Sequence, residues 1–396
     1  MKKNLKAVVI GGGIHGVTAA IALAKHGIDV ILIEKKGGLL QGTSGATQNR
    51  AHLGYHYPRS VATASECLEG LRVFRERYPQ ALAYPKEAYY LIENDSSRVS
   101  AEEFRAFCDQ MRIPYEMRLP SDGFINRGSV IASFKVPEPV FNLEVLADLL
   151  ESETIELGIR AHTGWEVVGV CILGNRFKIT ARQGAKLAHY DADILLNATY
   201  AYTNNVLKML GLEDDMTQYI LQSTEVPIAR SDVEIPALTV MDGEFVSVLP
   251  YGHKQNYVLV YDVIHSVVHR ENGYFYEDGR EYPTNWTKMV EHGEKYFPFM
   301  RSLVYVGSLR GARPIPVSVN GDSRRTRVVA HKKYPGAYSV FEGKFISAPL
   351  IADRLLDQMR TDGVLSNTSS LRLCRGLQGF DGHRDRPSIS QSATPA

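Results

Sequence analysis

The sequence predicts an α/β chain, α+β overall, in which a parallel-sheet unit is interleaved with an antiparallel sheet. Three observations predict it. Residues 7–34 read as strand, glycine turn, helix and strand. Between 222 and 268, apolar and polar residues alternate in STEVPIA, FVSVLPY and YVLVYDVIH with turn residues between them, which is the period of an antiparallel sheet. From 304 to about 358 the pattern returns to strand and helix.

In the opening stretch, residues 7–10 (AVVI) form the apolar, β-branched run of a buried parallel strand. Gly11, Gly13 and Gly16 then supply a G-x-G-x-x-G turn. The first glycine allows the tight turn, the second lets backbone approach a pyrophosphate, and the third lets helix pack on strand. Ile14, Val17, Ile21 and Ala24 follow at helical spacing, and Lys25-His26-Gly27 ends that helix. The next apolar run, 30–33, finishes on Glu34, placed to accept both hydroxyls of an adenosine ribose. A lone glycine motif is weak evidence. The ordered set predicts a Rossmann-like dinucleotide site, with Ile14 and His15 inside the turn and Lys35 after the acid among its contacts.

Composition narrows the class. The 396 residues are 44% hydrophobic and 22% charged, ordinary for a soluble globular chain. A formal net charge of +1 gives no nucleic-acid footprint. Cys67, Cys108, Cys171 and Cys374 are scattered with no C-x-x-C pair, which argues against structural zinc and suits a reducing compartment. No metal ligands are predicted. Residues 7–24 are about long enough to cross a bilayer, and Lys2, Lys3 and Lys6 resemble the start of a signal peptide. The glycine spacing and the lack of a small-residue cleavage pattern favour the nucleotide fold instead. The expectation is no transmembrane segment and a cytoplasmic location, with peripheral membrane association left open.

Residues 35–60 form a long loop rich in Gly, Ser, Thr and Asn, and loops of that length are usually functional. A helix is predicted over 61–78, a strand over 87–93, and a helix over 101–111. Asn142 caps a helix over 143–157 that Gly158 ends. Short strands follow at 159–162, 165–173, 176–181 and 187–190, then a buried one at 193–198. A helix is predicted over 285–297, and Ser347 is read as capping a last helix with Pro349 in its first turn. From 363 to 396 there is no periodicity, and the tail reads as disordered. The predicted nucleotide domain comprises 1–80, 140–215 and 305–362, and the second domain 81–139 and 216–304.

Three further blocks carry a family resemblance. Thr43-Ser44 through His52-x-Gly54-Tyr55-His56-Tyr57 is similar to a Ser/Thr-rich loop that passes beneath a flavin. DILLNATY (193–200) resembles a second cofactor-contacting strand. GARP (311–314), then Gly336, Glu342-Gly343-Lys344 and Ala352, resembles a carboxy-terminal Gly-Lys turn leading into a helix. Together they resemble the FAD-dependent oxidoreductases of the D-amino-acid-oxidase/glycine-oxidase superfamily, nearest to FAD-linked glycerol-3-phosphate dehydrogenases and L-2-hydroxyglutarate oxidases. The resemblance implies FAD as cofactor, with contacts from Thr43, Ser44, Val167, Ala198, Thr199 and the turn Gly343-Lys344-Phe345. There are departures. Most superfamily members have glycine at the position of Tyr200. Glycerol-3-phosphate dehydrogenases have two threonines at the positions of Ile346 and Ser347 and arginine at that of His56, and the loss of the arginine weakens the case for glycerol 3-phosphate itself.

The implied chemistry is hydride transfer to flavin N5 from a CH–OH carbon of a small anionic or polyol substrate, with a protein base for the hydroxyl proton. His52, His56, His253 and His265 are the candidate bases, the first two in the flavin loop. Tyr57, Arg313 and Lys344 complete the predicted catalytic set. Arg310 and Arg313 are predicted to bind an anionic group, and Tyr251, Tyr261 and His265 to line the pocket. Amine or amino-acid oxidation on the same fold, and flavin binding without turnover, remain alternatives. The electron acceptor, O2 or quinone, is left open.

Overall fold

The computed structural model describes residues 5–366 except 96, 253, 278, 318–325 and 342. His253, Glu342 and most of the predicted tail (367–396) therefore lie outside the described residues.

The run 7–10 becomes the strand Lys6–Ile10 near the middle of a six-stranded sheet. Parallel neighbours are Asp29–Glu34 on one side and Ile194–Asn197 on the other. Arg160–Thr163 and Ala337–Phe341 extend the parallel order, and Arg327–Ala330 closes one edge antiparallel. Both faces are covered, which is why these strands are apolar without alternation. Ala7, Val9, Val30, Leu32, Ile194 and Leu196 meet the helices Ile14–Lys25, Leu143–Glu156 and Ala348–Thr361. Val8, Ile10, Ile31, Ile33 and Leu195 meet a three-stranded antiparallel sheet through Val170, Phe177 and Ile179.

The alternating segments form the second, nine-stranded sheet. Its spine is Tyr219–Arg230, paired along its length with Val304–Pro316. The other edge of that strand pairs with Val267–Gly273 at one end and Tyr257–Asp262 at the other. One face of this sheet receives the loop 43–57. The opposite face packs Val246, Val248, Val258 and Val260 against Tyr296, Phe297 and Met300 beyond the helix Trp286–Gly293.

Four readings need correction. The run 305–316, grouped with the nucleotide domain from sequence, is a strand of the large sheet, because its backbone partner is Tyr219–Arg230. The helix predicted over 285–297 stops at Gly293, and a 3-10 turn over Pro298–Ser302 follows. Ser347 does not cap the last helix. Its backbone is already helical (φ −79°, ψ −8°) at the end of the turn Phe345–Ser347, and its hydroxyl makes no capping bond. The chain stays anchored just past 363, where the N–H groups of Val364 and Leu365 donate to the Met359 carbonyl and both side chains pack on the core. Among the described residues, no helix is long and apolar enough to cross a membrane.

Candidate active site

The glycine turn leaves no room for a side chain at Gly11 or Gly16. Gly11 sits at φ +104°, and a Cβ there would lie 2.6 Å from the Ala198 carbonyl oxygen. A Cβ on Gly16 would lie 1.8 Å from the Gly11 oxygen. Glu34 turns back over this bend: one carboxylate oxygen accepts from Gly12 N–H at 2.6 Å, the other from Lys36 N–H at 2.7 Å. Ile14 N–H, one of the unpaired donors of the helix start, donates to Ser44 Oγ at 3.0 Å. Burial takes the His15 imidazole down to about 4. Val167 lies just past Trp165, whose N–H donates to the Glu34 carbonyl. Lys35 stands over the Tyr202 ring at 3.4 Å. Thr199 donates through its hydroxyl to Asn197 Oδ1 at 2.7 Å, beside the bend.

The loop after Ser44 is tied to the large sheet by side chains that composition does not single out. Thr43 donates to the Ala312 carbonyl at 3.1 Å. Gln48 donates to the carbonyls of Ser247 and Leu259 at 3.0 and 3.1 Å. Arg50 is buried, pairs with Glu138 at 2.8 Å, and donates to Tyr90 at 2.9 Å and Thr239 at 2.6 Å. Burial opposes its charge, yet Tyr90 and Glu138 more than offset this and raise its pKa. The other Glu138 oxygen takes the Leu53 N–H at 2.9 Å. Arg50 and Glu138 thus fix the backbone on both sides of His52.

Held in this way, the loop presents a wall of rings. His52 lies 5.6 Å from His56 and 5.3 Å from Tyr57, centroid to centroid. His56 stands edge-on to Phe245 at 5.1 Å, and Phe245 lies 6.1 Å from Tyr261. The Tyr261 hydroxyl accepts from Arg313 Nη1 at 2.6 Å, and Gln222 Oε1 accepts from Arg313 Nε at 2.7 Å. Lys344 closes the wall from the carboxy-terminal turn, its ammonium 4.2 Å from the Tyr57 ring centroid. Burial first, then the charges of Lys344, His56 and Arg50, hold the His52 imidazole well below its ordinary pKa. These causes hold the ring in its neutral form.

The structure separates several residues that the sequence grouped. Arg310 and Arg313 are three apart on a regularly paired stretch of one strand, so they point to opposite faces. Arg310 donates to the Tyr282 carbonyl at 2.5 Å and lies 3.9 Å from buried Glu225. His265 is also on that far face, beside His292. Tyr251 lies beyond the end of its strand, in a hairpin turn under Lys254 at 4.9 Å. The Phe345 ring stacks on Phe141 at 4.2 Å in the core, which leaves only its backbone for a cofactor. Tyr200 adopts φ +53° and stacks 6.1 Å from Phe341. Sequence reasoning missed Arg50, Gln222 and Phe245; counting strand parity outward from Tyr261 and Arg313 would have found the last two.

The residues fit a flavin dinucleotide. Gly11 and Gly16 accept no Cβ, the helix start faces the bend, and Glu34 borders it. Among the described residues, the buried polar atoms without a hydrogen-bond partner include His15 Nδ1 at the helix start, Asn49 Nδ2 and His52 Nδ1 in the loop, and Ser347 Oγ after the Gly-Lys turn. Comparison with known proteins agrees. The FAD dependent oxidoreductase (DAO) family matches residues 6–358. The FAD-dependent monooxygenase kojA of Aspergillus flavus is 29% identical over 257 residues, which covers 62% of this chain but only 58% of that protein. The FAD-dependent monooxygenase FPY4 of Fusarium mangiferae is 26% identical over 364 residues, covering 88% of this chain and 89% of that one. The crystal structure of glycine oxidase from Geobacillus kaustophilus shares the fold, with a TM-score of 0.70 at 16% identity, over 90% of this chain and 95% of that one. The chain belongs to the DAO family of FAD-dependent oxidoreductases, and its cofactor is FAD.

Proposed function

We propose that this oxidoreductase acts on a CH–OH carbon next to an anionic or polyol group of a small substrate. The observation that carries the reading is the wall itself, which sets one oriented guanidinium and one neutral, half-buried imidazole with a buried Nδ1 on the same side of the large sheet. Gln222 and Tyr261 hold two donors of the Arg313 fork, which aims the remaining ones at a carboxylate or phosphate. Tyr57 and Phe245 supply apolar surface that excludes water between the two ends. FAD, when bound, supplies the two-electron acceptor for the C–H bond. His52 takes the hydroxyl proton at Nδ1, the atom that has no hydrogen-bond partner. A positioned base of this kind contributes about 10²–10⁴-fold. Lys344, over Tyr57, places a positive charge at the carboxy-terminal turn, which favours an anionic ligand beside it.

The test is an anaerobic screen of 2-hydroxy acids, polyol phosphates and amino acids, read by bleaching of the flavin absorbance. Bleaching by a hydroxy compound, without ammonia release, supports the reading. Ammonia release would replace it with amine oxidation, the activity in the name of the glycine oxidase. Oxygen from O2 incorporated into product, when the screen is repeated in air, would replace it with the monooxygenation named for kojA and FPY4.

A further inference from the structure

On the far face of the large sheet, away from Arg313 and Tyr261, Asp262, His265 and His292 converge. Each offers one ligand atom, and these atoms lie within 4.8 Å of one another. They come from three places: the end of the strand Tyr257–Asp262, the turn after it, and the helix Trp286–Gly293. We propose that they form a three-ligand site for a divalent transition-metal ion, with zinc as the best match to the donor set and water completing the coordination.

Two imidazoles and a carboxylate are the donors that zinc prefers when thiolates are absent. Zinc bonds of about 2.0–2.1 Å in a tetrahedron space ligands about 3.4 Å apart, so small side-chain movements complete the site. The carboxylate is already prepared. Asp262 Oδ1 accepts the N–H groups of Ile264 and His265 at 2.9 and 3.1 Å, which leaves Oδ2 facing His292 Nδ1 at 2.8 Å. The Asp262 side chain is fully buried, while that of His292 is 16% exposed, so the site has a dry floor and an opening.

A second layer of contacts holds the three ligand-bearing segments together, as outer partners of metal ligands do. Asn285, just before the helix, donates its side-chain amide to the His265 carbonyl at 3.0 Å. Its backbone N–H donates to buried Glu225 at 2.6 Å, and the N–H of Glu225 donates to the Ser266 carbonyl. The other charges acting on His292 are Glu244 and Lys295, of opposite sign. An ion here would clamp the helix to the strand that carries Tyr261 on its other face. The chain has no metal-ligand spacing in sequence because the ligands are brought together by the hairpin and the helix docked on it.

The experiment uses the tag-free, FAD-loaded full chain after dialysis against a chelator, titrated with Zn²⁺ in competition with a chromophoric chelator. The wild type is expected to take about one equivalent, and its melting temperature to rise with Zn²⁺. His292→Gln and His265→Asn should each weaken binding at least about 100-fold while keeping the flavin spectrum. Should one of them fail to fold, the other decides, because either removes a ligand. The proposal is overturned if Zn²⁺ binds the wild type no better than the variants, or no better than Mg²⁺, or if the melting temperature does not respond. The trio would then be a hydrogen-bonded Asp–His pair with a neighbouring histidine.

Discussion

At the glycine turn the backbone is the working part. Gly11 and Gly16 contribute close approach, and a single added carbon would land on a carbonyl oxygen. At the wall of rings the side chains are the working part, and the backbone is held by Arg50, Glu138 and Gln48. Damage at the turn should therefore be abrupt and shared by fold and cofactor. Damage at the wall should be graded and should separate stability from catalysis.

Gly16→Ala is the most severe test. Its methyl group would need to sit 1.8 Å from the Gly11 oxygen, which no rotamer relieves. Destabilisation beyond about 4 kcal/mol and colourless protein are expected, measured by urea unfolding and flavin content. A yellow, stable variant would erase the contrast. Arg50→Met comes next, because it leaves Glu138 buried and uncompensated. It should cost about 3–5 kcal/mol. Hydrogen exchange should rise across 47–57 while residues 6–34 keep their protection; a uniform rise would show that the two regions are one unit.

Arg313→Met tests the wall alone. Losing charge-assisted hydrogen bonds to an anionic substrate is worth about 1.5–3 kcal/mol, so KM should rise roughly 10- to 100-fold. Arg310→Met, on the other face, should leave KM within about 3-fold and act on stability instead, because Glu225 loses its nearby cation. Equal effects of the two would contradict the parity of the strand.

A smaller effect is a shift along the pH axis. The depressed pKa of His52 means that protonation, and loss of the base, occurs only well below its ordinary pKa. Activity should therefore hold as pH falls through neutrality and fail at lower pH. Burial is the main cause and Lys344 the next, so Lys344→Met raises the pKa and moves the acid limb of kcat upward. A limb that stays in place would remove His52 as the group being titrated.

The turn was legible in the sequence because its constraints are local: strand, glycines, helix and acid follow within 28 residues, 7–34. The loop 35–60 was legible as functional from its length, but the role of Arg50 was not. Its partners Tyr90, Glu138 and Thr239 lie 40, 88 and 189 positions away. Pairing Arg310 with Arg313 failed because nearness in sequence was read as nearness in space, whereas an odd spacing on a strand means opposite faces. Tyr261 and Tyr251 looked equivalent in the alternating pattern; only the strand end at Pro250 distinguishes them.

Tyr200 sharpens the contrast from inside the nucleotide half, where a residue with a Cβ occupies a position that favours glycine. Its φ of +53° costs an ordinary residue about 1–2 kcal/mol. The stack on Phe341 returns about 0.5–1.5 kcal/mol, and half-burial of the ring adds to that. The two sides nearly balance, so Tyr200→Gly should change stability by only about 1 kcal/mol, downward. Tyr200→Ala loses the ring and keeps the backbone penalty, so it should be the less stable of the two by about 1 kcal/mol. At most positions alanine is the better tolerated replacement. The order tyrosine, glycine, alanine in urea midpoints would show that a stacked ring offsets the strain here. The order tyrosine, alanine, glycine would show that the left-handed backbone carries no cost at this site.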